Sequence, residues 1–120
     1  IAFGENVISV KALMDSGNTL KDVYTGKPVL VLTASCAALL TRIKIPSDYT
    51  EIISREKNVS FRLLPVQALN GEKLLPAFTA QSVTVTGTQT EREHHGVCIA
   101  VTDNDLGKDK YQALIGSELI

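Results

Sequence analysis

The chain has 120 residues, a net charge of -1 and 44% hydrophobic residues, which is typical of one globular domain with a modest core. It has no Lys/Arg cluster, no Trp and only three Phe and three Tyr, so the composition argues against nucleic acid as a ligand. Apolar runs such as residues 29–32 are much shorter than the ~20 residues of a membrane helix. Because the chain starts at Ile1 rather than Met, we expect a single domain, residues 1–120, from a longer protein.

Two short β-strands and a turn are predicted in the first third of the chain. Residues 7–14 and 28–33 are rich in β-branched and aliphatic side chains, as strands are. Residues 21–27 between them contain the turn formers Asp22 and Gly26. The pattern indicates a strand, a loop and a second strand.

The tripeptide Asp15-Ser16-Gly17 follows the apolar run 12–14, which places an acidic side chain at the end of a predicted strand. A carboxylate acts as a general base on water when a second carboxylate shares its proton, because two close negative charges cannot both ionise. The chain has one such tripeptide, so this hypothesis requires the second aspartate from another copy across a two-fold axis. Alternatively, these residue types build turns for local reasons, and Asp15 is a turn residue.

The middle of the chain is predicted to contain the helical structure. Residues 34–42 are rich in Ala and Leu, with Ser35 able to cap, so one or two helical turns are expected before Pro46. Residues 47–58 carry several charges and indicate a surface connection, with room for a second short helix.

A hairpin is predicted near the centre of the chain. Residues 61–66 and 74–78 have strand-like composition and flank Asn70-Gly71, which is the strongest short-range hairpin signal in the sequence. The interpretation is a protruding β-hairpin.

Further strands complete the predicted fold. Residues 81–88 alternate Val and Thr as a half-exposed strand does, and residues 96–102 form a continuous apolar run suited to a buried strand. Gly116 follows the apolar residues 113–115, where a glycine marks close backbone approach. We therefore predict an all-β fold, a small closed barrel of six or seven strands with one or two short helices.

The cysteines and histidines predict no metal site. Cys36 and Cys98 have apolar neighbours and are expected to be buried, reduced thiols, as in a cytosolic protein. His94 and His95 are adjacent, which does not present a chelating face, and a solvated loop is expected there.

Acidic residues outside the tripeptide are interpreted as loop charges. Asp103 and Asp105 resemble the start of a calcium loop, but the glycine that the loop requires at its sixth position is absent. Asp22 is expected to be a loop charge like them. No metal and no cofactor is predicted.

Three features in order resemble the plan of the retropepsin-like aspartic peptidases: an apolar stretch leading into Asp-Ser-Gly, a central hairpin, and two aliphatic residues followed by Gly near the end. More narrowly, the chain is similar to the membrane-associated peptidases that process pro-sigma-E in spore-forming bacteria. This second resemblance rests on ALMDSGNTL at residues 12–20, Asp22, and TGKPV at residues 25–29. It covers nearly the whole chain.

The resemblance implies a homodimeric aspartic endopeptidase in which Asp15 and its symmetry mate activate one water molecule. It implies that Ser16 hydrogen-bonds across the dyad and that Gly17 permits close backbone approach. It further implies a flap over the substrate and a support beneath the active site. The flap residues are Leu69, Asn70, Gly71, Leu74 and Leu75, and the supporting residues are Leu114, Ile115 and Gly116.

The resemblance also implies a cellular setting. The domain would be the cytoplasmic-facing part of a membrane protein at the sporulation septum, on the mother-cell side, anchored through a preceding N-terminal region. Its substrate would be the N-terminal pro-segment of an inactive sigma factor, and a secreted forespore signalling protein would act on the parent protein.

One departure from the retroviral pattern and one competing function stand beside this resemblance. Ser117 and Glu118 follow Gly116 where retroviral enzymes have an arginine, so the retroviral dimer contact is not implied. The competing function is a catalytically silent barrel of the same fold, serving as a dimerisation or peptide-binding module, with Asp15 as a turn residue.

Overall fold

The structure is a computed structural model that describes residues 1–14, 20–46, 59–68, 71–87, 89–103, 106 and 110–120. Within these ranges the protein is mostly β, and eight strands form one sheet that curls into a half-barrel. The strands are β1 (Ala2–Phe3), β2 (Asn6–Val7), β3 (Ala12–Met14), β4 (Val29–Thr33), β5 (Arg62–Ala68), β6 (Gly71–Thr86), β7 (Glu91–Thr102) and β8 (Ala113–Ile115). An α-helix, α1 (Ala34–Thr41), and a 3₁₀ helix (Ser117–Leu119) accompany them.

The strand order is β2-β1-β6-β7-β4-β8-β3, and β5 pairs with β6 outside this path. Most neighbours are antiparallel, but β4 runs parallel to β7 and β3 runs parallel to β8. Among the described strands, β2 and β3 end the path. The mostly β prediction is therefore confirmed, while the described strands form a half-barrel rather than the closed barrel of six or seven strands that we predicted.

The longest strand pair is longer than the sequence predicts. β6 is one strand of 16 residues and β7 one of 12, and they pair from Ala77↔Ala100 to Thr86↔Glu91. Gly96 has a φ of 63° inside β7, and the strand continues through it. The prediction that His94 and His95 lie in a solvated loop is therefore wrong, because both belong to β7.

The main core lies on one face of the sheet and beneath α1. Leu32 of β4, Leu40 of α1 and Phe78 of β6 have no exposed surface. The ring of Phe78 makes edge-to-face contacts with Phe3 and Phe61, at centroid distances of 5.4 and 5.7 Å. This cluster holds the helix and the two long strands together.

A smaller second core lies on the opposite face. Side chains alternate between the faces of a strand, so Val29 and Cys98 point away from the main core that Leu30 and Ile99 enter. The second core consists of Val29, Leu64, Leu75, Ala77, Cys98 and Ala100, with Leu20 packed against it. It joins the base of the β5–β6 hairpin to the centre of the sheet.

The helix is close to its predicted position. It begins after Thr33, with no side-chain hydrogen bond to cap it, and ends before Arg42, which has a φ of 65° and donates its backbone N–H to the Ala38 carbonyl. Ser35 therefore does not supply the cap that we expected. In the described part of the chain, no helix has the length and apolar character needed to cross a membrane.

Candidate functional site

Asp15, Ser16 and Gly17 lie outside the described residues, so the site is defined by the elements on either side of them. On the N-terminal side, β3 ends at Met14 and pairs in parallel with β8, with Met14 opposite Ile115. The strand that precedes Asp15 therefore runs beside the segment that we predicted to support it.

The supporting segment is anchored in the sheet. Ile115 and Gly116 are buried, and Leu114 is half-buried and pairs with Val31 of β4 on the side away from β3. β8 thus connects β3 to β4, which pairs with the long strand β7 on its other side. The register is fixed over three consecutive pairs, from Ala12 to Met14.

The strand that leads to Asp15 lies at an exposed edge of the sheet. Leu13 is 38% exposed and Met14 is 54% exposed. Met14 also lines a groove of about 400 Å³. Its apolar lining includes Ile8, Val10, Met14, Val85, Ile115 and Ile120. An apolar partner surface would be able to bury these side chains.

On the C-terminal side of the tripeptide, residues 20–29 form a tight turn. The Val29 N–H donates to the Leu20 carbonyl over 3.1 Å, and the Asp22 N–H donates to the Lys27 carbonyl over 2.9 Å. Gly26 has a φ of 72° and donates its N–H to the Asp22 carbonyl. This turn is the loop that the sequence predicts before the strand at residues 28–33.

Asp22 is buried within this turn, with 1% of its surface exposed. Its Oδ1 accepts the Tyr24 backbone N–H at 2.9 Å, and its Oδ2 accepts Nη2 of Arg62 at 2.5 Å. Burial alone would raise the pKa of Asp22, but the Tyr24 N–H, the Arg62 guanidinium and the Thr25 hydroxyl outweigh burial and lower it. Asp22 lies in a loop, as the sequence predicts, and within that loop it is the buried half of an ion pair.

Arg62, the first residue of β5, contacts three parts of the structure. Besides Asp22, its Nη2 lies 3.2 Å from Sγ of Cys98, and its Nη1 donates to Oγ1 of Thr79 over 3.4 Å. The guanidinium is therefore held between the turn at residues 20–29, β6 and β7.

Cys98 is not a candidate nucleophile. Burial, together with the nearby Asp22 carboxylate, raises the pKa of the Cys98 thiol to about 11, although Arg62 acts in the opposite direction. The thiol is protonated at neutral pH, and the thiolate is the reactive form. The prediction of a buried free thiol is confirmed for Cys98, while Cys36 is a free thiol that is only partly buried.

The central hairpin is confirmed by the antiparallel pairing of β5 with β6, which runs from Arg62↔Ala77 to Ala68↔Gly71. Gly71 is the first residue of β6, while Leu69 and Asn70 lie outside the described residues.

The two leucines that we predicted for the flap differ in exposure. Leu74 is 47% exposed, whereas Leu75 is 6% exposed and belongs to the second core. Of the two, Leu74 has the side-chain surface available to a bound peptide.

Neither Arg62 nor its pairing with Asp22 is indicated by the sequence. The two residues are 40 positions apart and belong to no shared motif. The sequence contains only a local signal at Asp22. An Asp side chain that accepts the backbone N–H two residues later is a recurrent turn pattern. Among the described residues, no group of three His, Cys, Asp or Glu side chains is arranged to hold a metal ion.

Comparison with known proteins identifies the class as a sporulation-related peptidase. The family model of peptidase family U4 matches residues 1–119, which is nearly the whole chain, and the chain belongs to this family. The family is described as sporulation factor SpoIIGA. The similarity to sigma-E-processing peptidases that the sequence predicts is thereby confirmed. No curated protein and no solved structure matches the chain.

Proposed function

We propose that the chain is an aspartic endopeptidase that removes the N-terminal pro-segment of pro-sigma-E. Membership of a sporulation peptidase family supports the reaction class and the biological setting. The observation that carries the aspartic mechanism is the pairing of β3 with β8, which aligns the strand leading to Asp15 with Leu114-Ile115. Asp15 is the acidic residue that directly follows this anchored strand.

In the proposed mechanism, Asp15 from each of two copies shares one proton. The ionised carboxylate removes a proton from water as the water attacks the scissile carbonyl, and the protonated one donates a hydrogen bond to the carbonyl oxygen. No covalent intermediate forms. Ser16 links the two loops by hydrogen bonds, and Gly17 lets the backbones approach each other.

The β5–β6 hairpin is the proposed flap. Leu69, Asn70 and Gly71 would form its tip over an extended peptide, and closure would exclude water from the reaction. Leu74 would contact the substrate through its exposed side chain, while Leu75 would stiffen the hairpin from the second core. Leu114, Ile115 and Gly116 would support the loops from β8.

The proposed active species is a homodimer. Exposed Leu13 and Met14 at the edge of the sheet, and the groove of about 400 Å³ beside them, provide apolar surface for a second copy. In the cell, the domain would face the mother-cell cytoplasm at the sporulation septum as part of a membrane protein. A secreted forespore protein would provide the activating signal.

Processing of pro-sigma-E tests the proposal. The full-length parent protein is co-expressed with the precursor as wild type, as Asp15→Ala and as Asp103→Ala, and cleavage and oligomeric state are measured. Asp103 is the matched control, because its side chain is 60% exposed and lies in an ion pair with Lys73. We expect Asp15→Ala to assemble normally and cleave nothing, whereas Asp103→Ala cleaves like wild type. Cleavage by Asp15→Ala would instead favour the catalytically silent module.

A further inference from the structure

We propose that Asp22 and Arg62 are a positioning pair that fixes the end of the Asp15 segment (residues 15–19) to the base of the β5–β6 hairpin. The inference rests on the proposed function, in which the segment supplies the catalytic carboxylate and the hairpin closes over the substrate. Neither residue would touch the substrate.

The residues on either side of the Asp15 segment are held by different contacts. Before it, Met14 is held by pairing with Ile115. After it, Leu20 packs against the second core, and its carbonyl accepts the Val29 N–H. Two residues further on, the Asp22 side chain is buried. The second anchor therefore depends on the turn at residues 20–29 keeping its place on the sheet.

The Asp22 carboxylate connects this turn to the hairpin. One oxygen accepts the Tyr24 N–H within the turn, while the other accepts the guanidinium of Arg62 on β5. One side chain thus closes the turn and attaches it to a second element. These hydrogen bonds restrict the positions of the turn and of β5, because each carboxylate oxygen accepts from a donor that points in a defined direction.

An apolar contact links the same two elements. Leu20 of the turn packs against the second core, and Leu64 of β5, which has no exposed surface, is part of that core. Arg62 and Leu64 lie two positions apart and therefore on the same face of β5. From there β5 runs to Ala68, which pairs with Gly71 beside the turn of the hairpin.

The neighbouring ion pair does not have these properties. Lys21 and Glu118 are 49% and 55% exposed and lie 3.3 Å apart, so water screens their attraction. A pair that includes a buried charge gains little stability over apolar residues, because desolvation offsets the attraction, but it imposes a defined geometry. The Asp22–Arg62 contact is therefore suited to positioning the turn against the hairpin rather than to stabilising the fold.

Hydrogen exchange tests the coupling without any assay of activity. Amide exchange is measured at residues 15–19 and 69–72 in the 120-residue chain as wild type, Asp22→Asn and Lys21→Gln. We expect Asp22→Asn to speed exchange about tenfold in both segments, because both lose the same attachment. Lys21→Gln, which breaks the adjacent exposed pair, should change neither. Faster exchange in one segment alone, or in neither, would overturn the proposal.

A further variant separates coupling from general loss of stability. Leu40→Ala opens a cavity beneath α1 and destabilises the whole domain without touching the turn or the hairpin. If it speeds exchange in the two segments as much as Asp22→Asn does, the pair has no specific role. Should Asp22→Asn fail to fold, the same comparison is made with Arg62→Lys, which keeps the positive charge but loses the planar guanidinium that contacts Asp22, Cys98 and Thr79.

Processing of pro-sigma-E by the full-length protein supplies the functional measurement. We expect Asp22→Asn to lower kcat about 10- to 100-fold with a smaller change in KM, since misplaced catalytic groups slow the chemical step. Arg62→Lys should retain more of the rate than Arg62→Gln. An unchanged kcat in folded Asp22→Asn would overturn positioning and leave the proposed function intact. Wild-type protein that cleaves nothing even when the forespore signalling protein is co-expressed, but shows the coupled exchange, would refute the proposed function alone.

Discussion

The two faces of the sheet are stabilised in different ways. The main core is apolar throughout, includes α1, and buries Leu32, Leu40 and Phe78 completely. The second core is smaller, and the Asp22–Arg62 ion pair lies beside its Cys98. Because the main core is the larger of the two, we expect it to contribute more to the stability of the fold, while the opposite face adds directional contacts between the turn at residues 20–29 and the β5–β6 hairpin.

The largest difference is expected from the same substitution made in each core. Leu32 and Leu64 both have no exposed surface. We expect Leu32→Ala to lower the free energy of unfolding by about 4–5 kcal/mol and Leu64→Ala by about 2–3 kcal/mol, because the smaller core relaxes more easily around a cavity. Urea denaturation measures both values.

The exposed Leu39 is the control for this comparison, with 62% of its surface exposed. Leu39→Ala should change the free energy of unfolding by no more than about 0.5 kcal/mol. Equal losses for Leu32→Ala and Leu64→Ala would mean that the two cores contribute alike, and the distinction between the faces would be wrong.

Arg62→Gln is expected to have the next largest effect. It leaves the buried Asp22 carboxylate without its cationic partner, which costs about 3–5 kcal/mol in a fully buried pair. Because the Arg62 side chain is 34% exposed, water offsets part of this, and we expect about 2 kcal/mol. Thermal unfolding measures the loss. A double variant with Asp22→Asn should lose less than the sum of the two single variants.

The contribution of Asp22 is expected to depend on pH. Because the folded-state pKa of Asp22 is lowered, its carboxylate stabilises the fold above the ordinary pKa of about 3.9, and this stabilisation is lost as the pH falls through the folded-state pKa. The stability difference between wild type and Asp22→Asn should therefore be constant near neutral pH and shrink in acid. Unfolding followed from pH 7 downwards measures it, and a difference that grows in acid would contradict the assignment.

The smallest effect is expected from Lys21→Gln. Lys21 and Glu118 form an exposed pair, which contributes about 0–1 kcal/mol and is screened by salt. At high ionic strength, the unfolding free energy of Lys21→Gln should match that of wild type. A loss comparable to that of Arg62→Gln would remove the contrast between the buried and the exposed pair.

Local patterns in the sequence predict much of the fold. Composition and turn chemistry act over a few residues. They predict the strand at the aliphatic run 29–32, the Ala/Leu-rich helix and the Asn70-Gly71 hairpin. The strand predicted at residues 96–102 is shorter than β7, which continues through Gly96 back to Glu91. The continuity of β6 and β7 comes from their mutual pairing, which no local pattern contains.

In the candidate site, too, the sequence indicates local features but not contacts between distant residues. Asp15 stands out through its tripeptide, and Leu114-Ile115-Gly116 through a glycine after an apolar run. The parallel pairing of β3 with β8 and the contact of Asp22 with Arg62 join residues distant in sequence. Such contacts are set by the topology of the sheet, so residue types alone do not indicate them.

The pairing of β3 with β8 also bears on how the protein is made. Lys11, next to β3, hydrogen-bonds Gln112, next to β8, across 101 positions of sequence. Contacts at such separation form slowly, because bringing the two strands together closes a long loop and costs chain entropy. Refolding followed by exchange protection should show β4 and β7 protected before β3. During synthesis, β3 therefore gains its neighbour β8 only after the 101 positions of chain between them have left the ribosome.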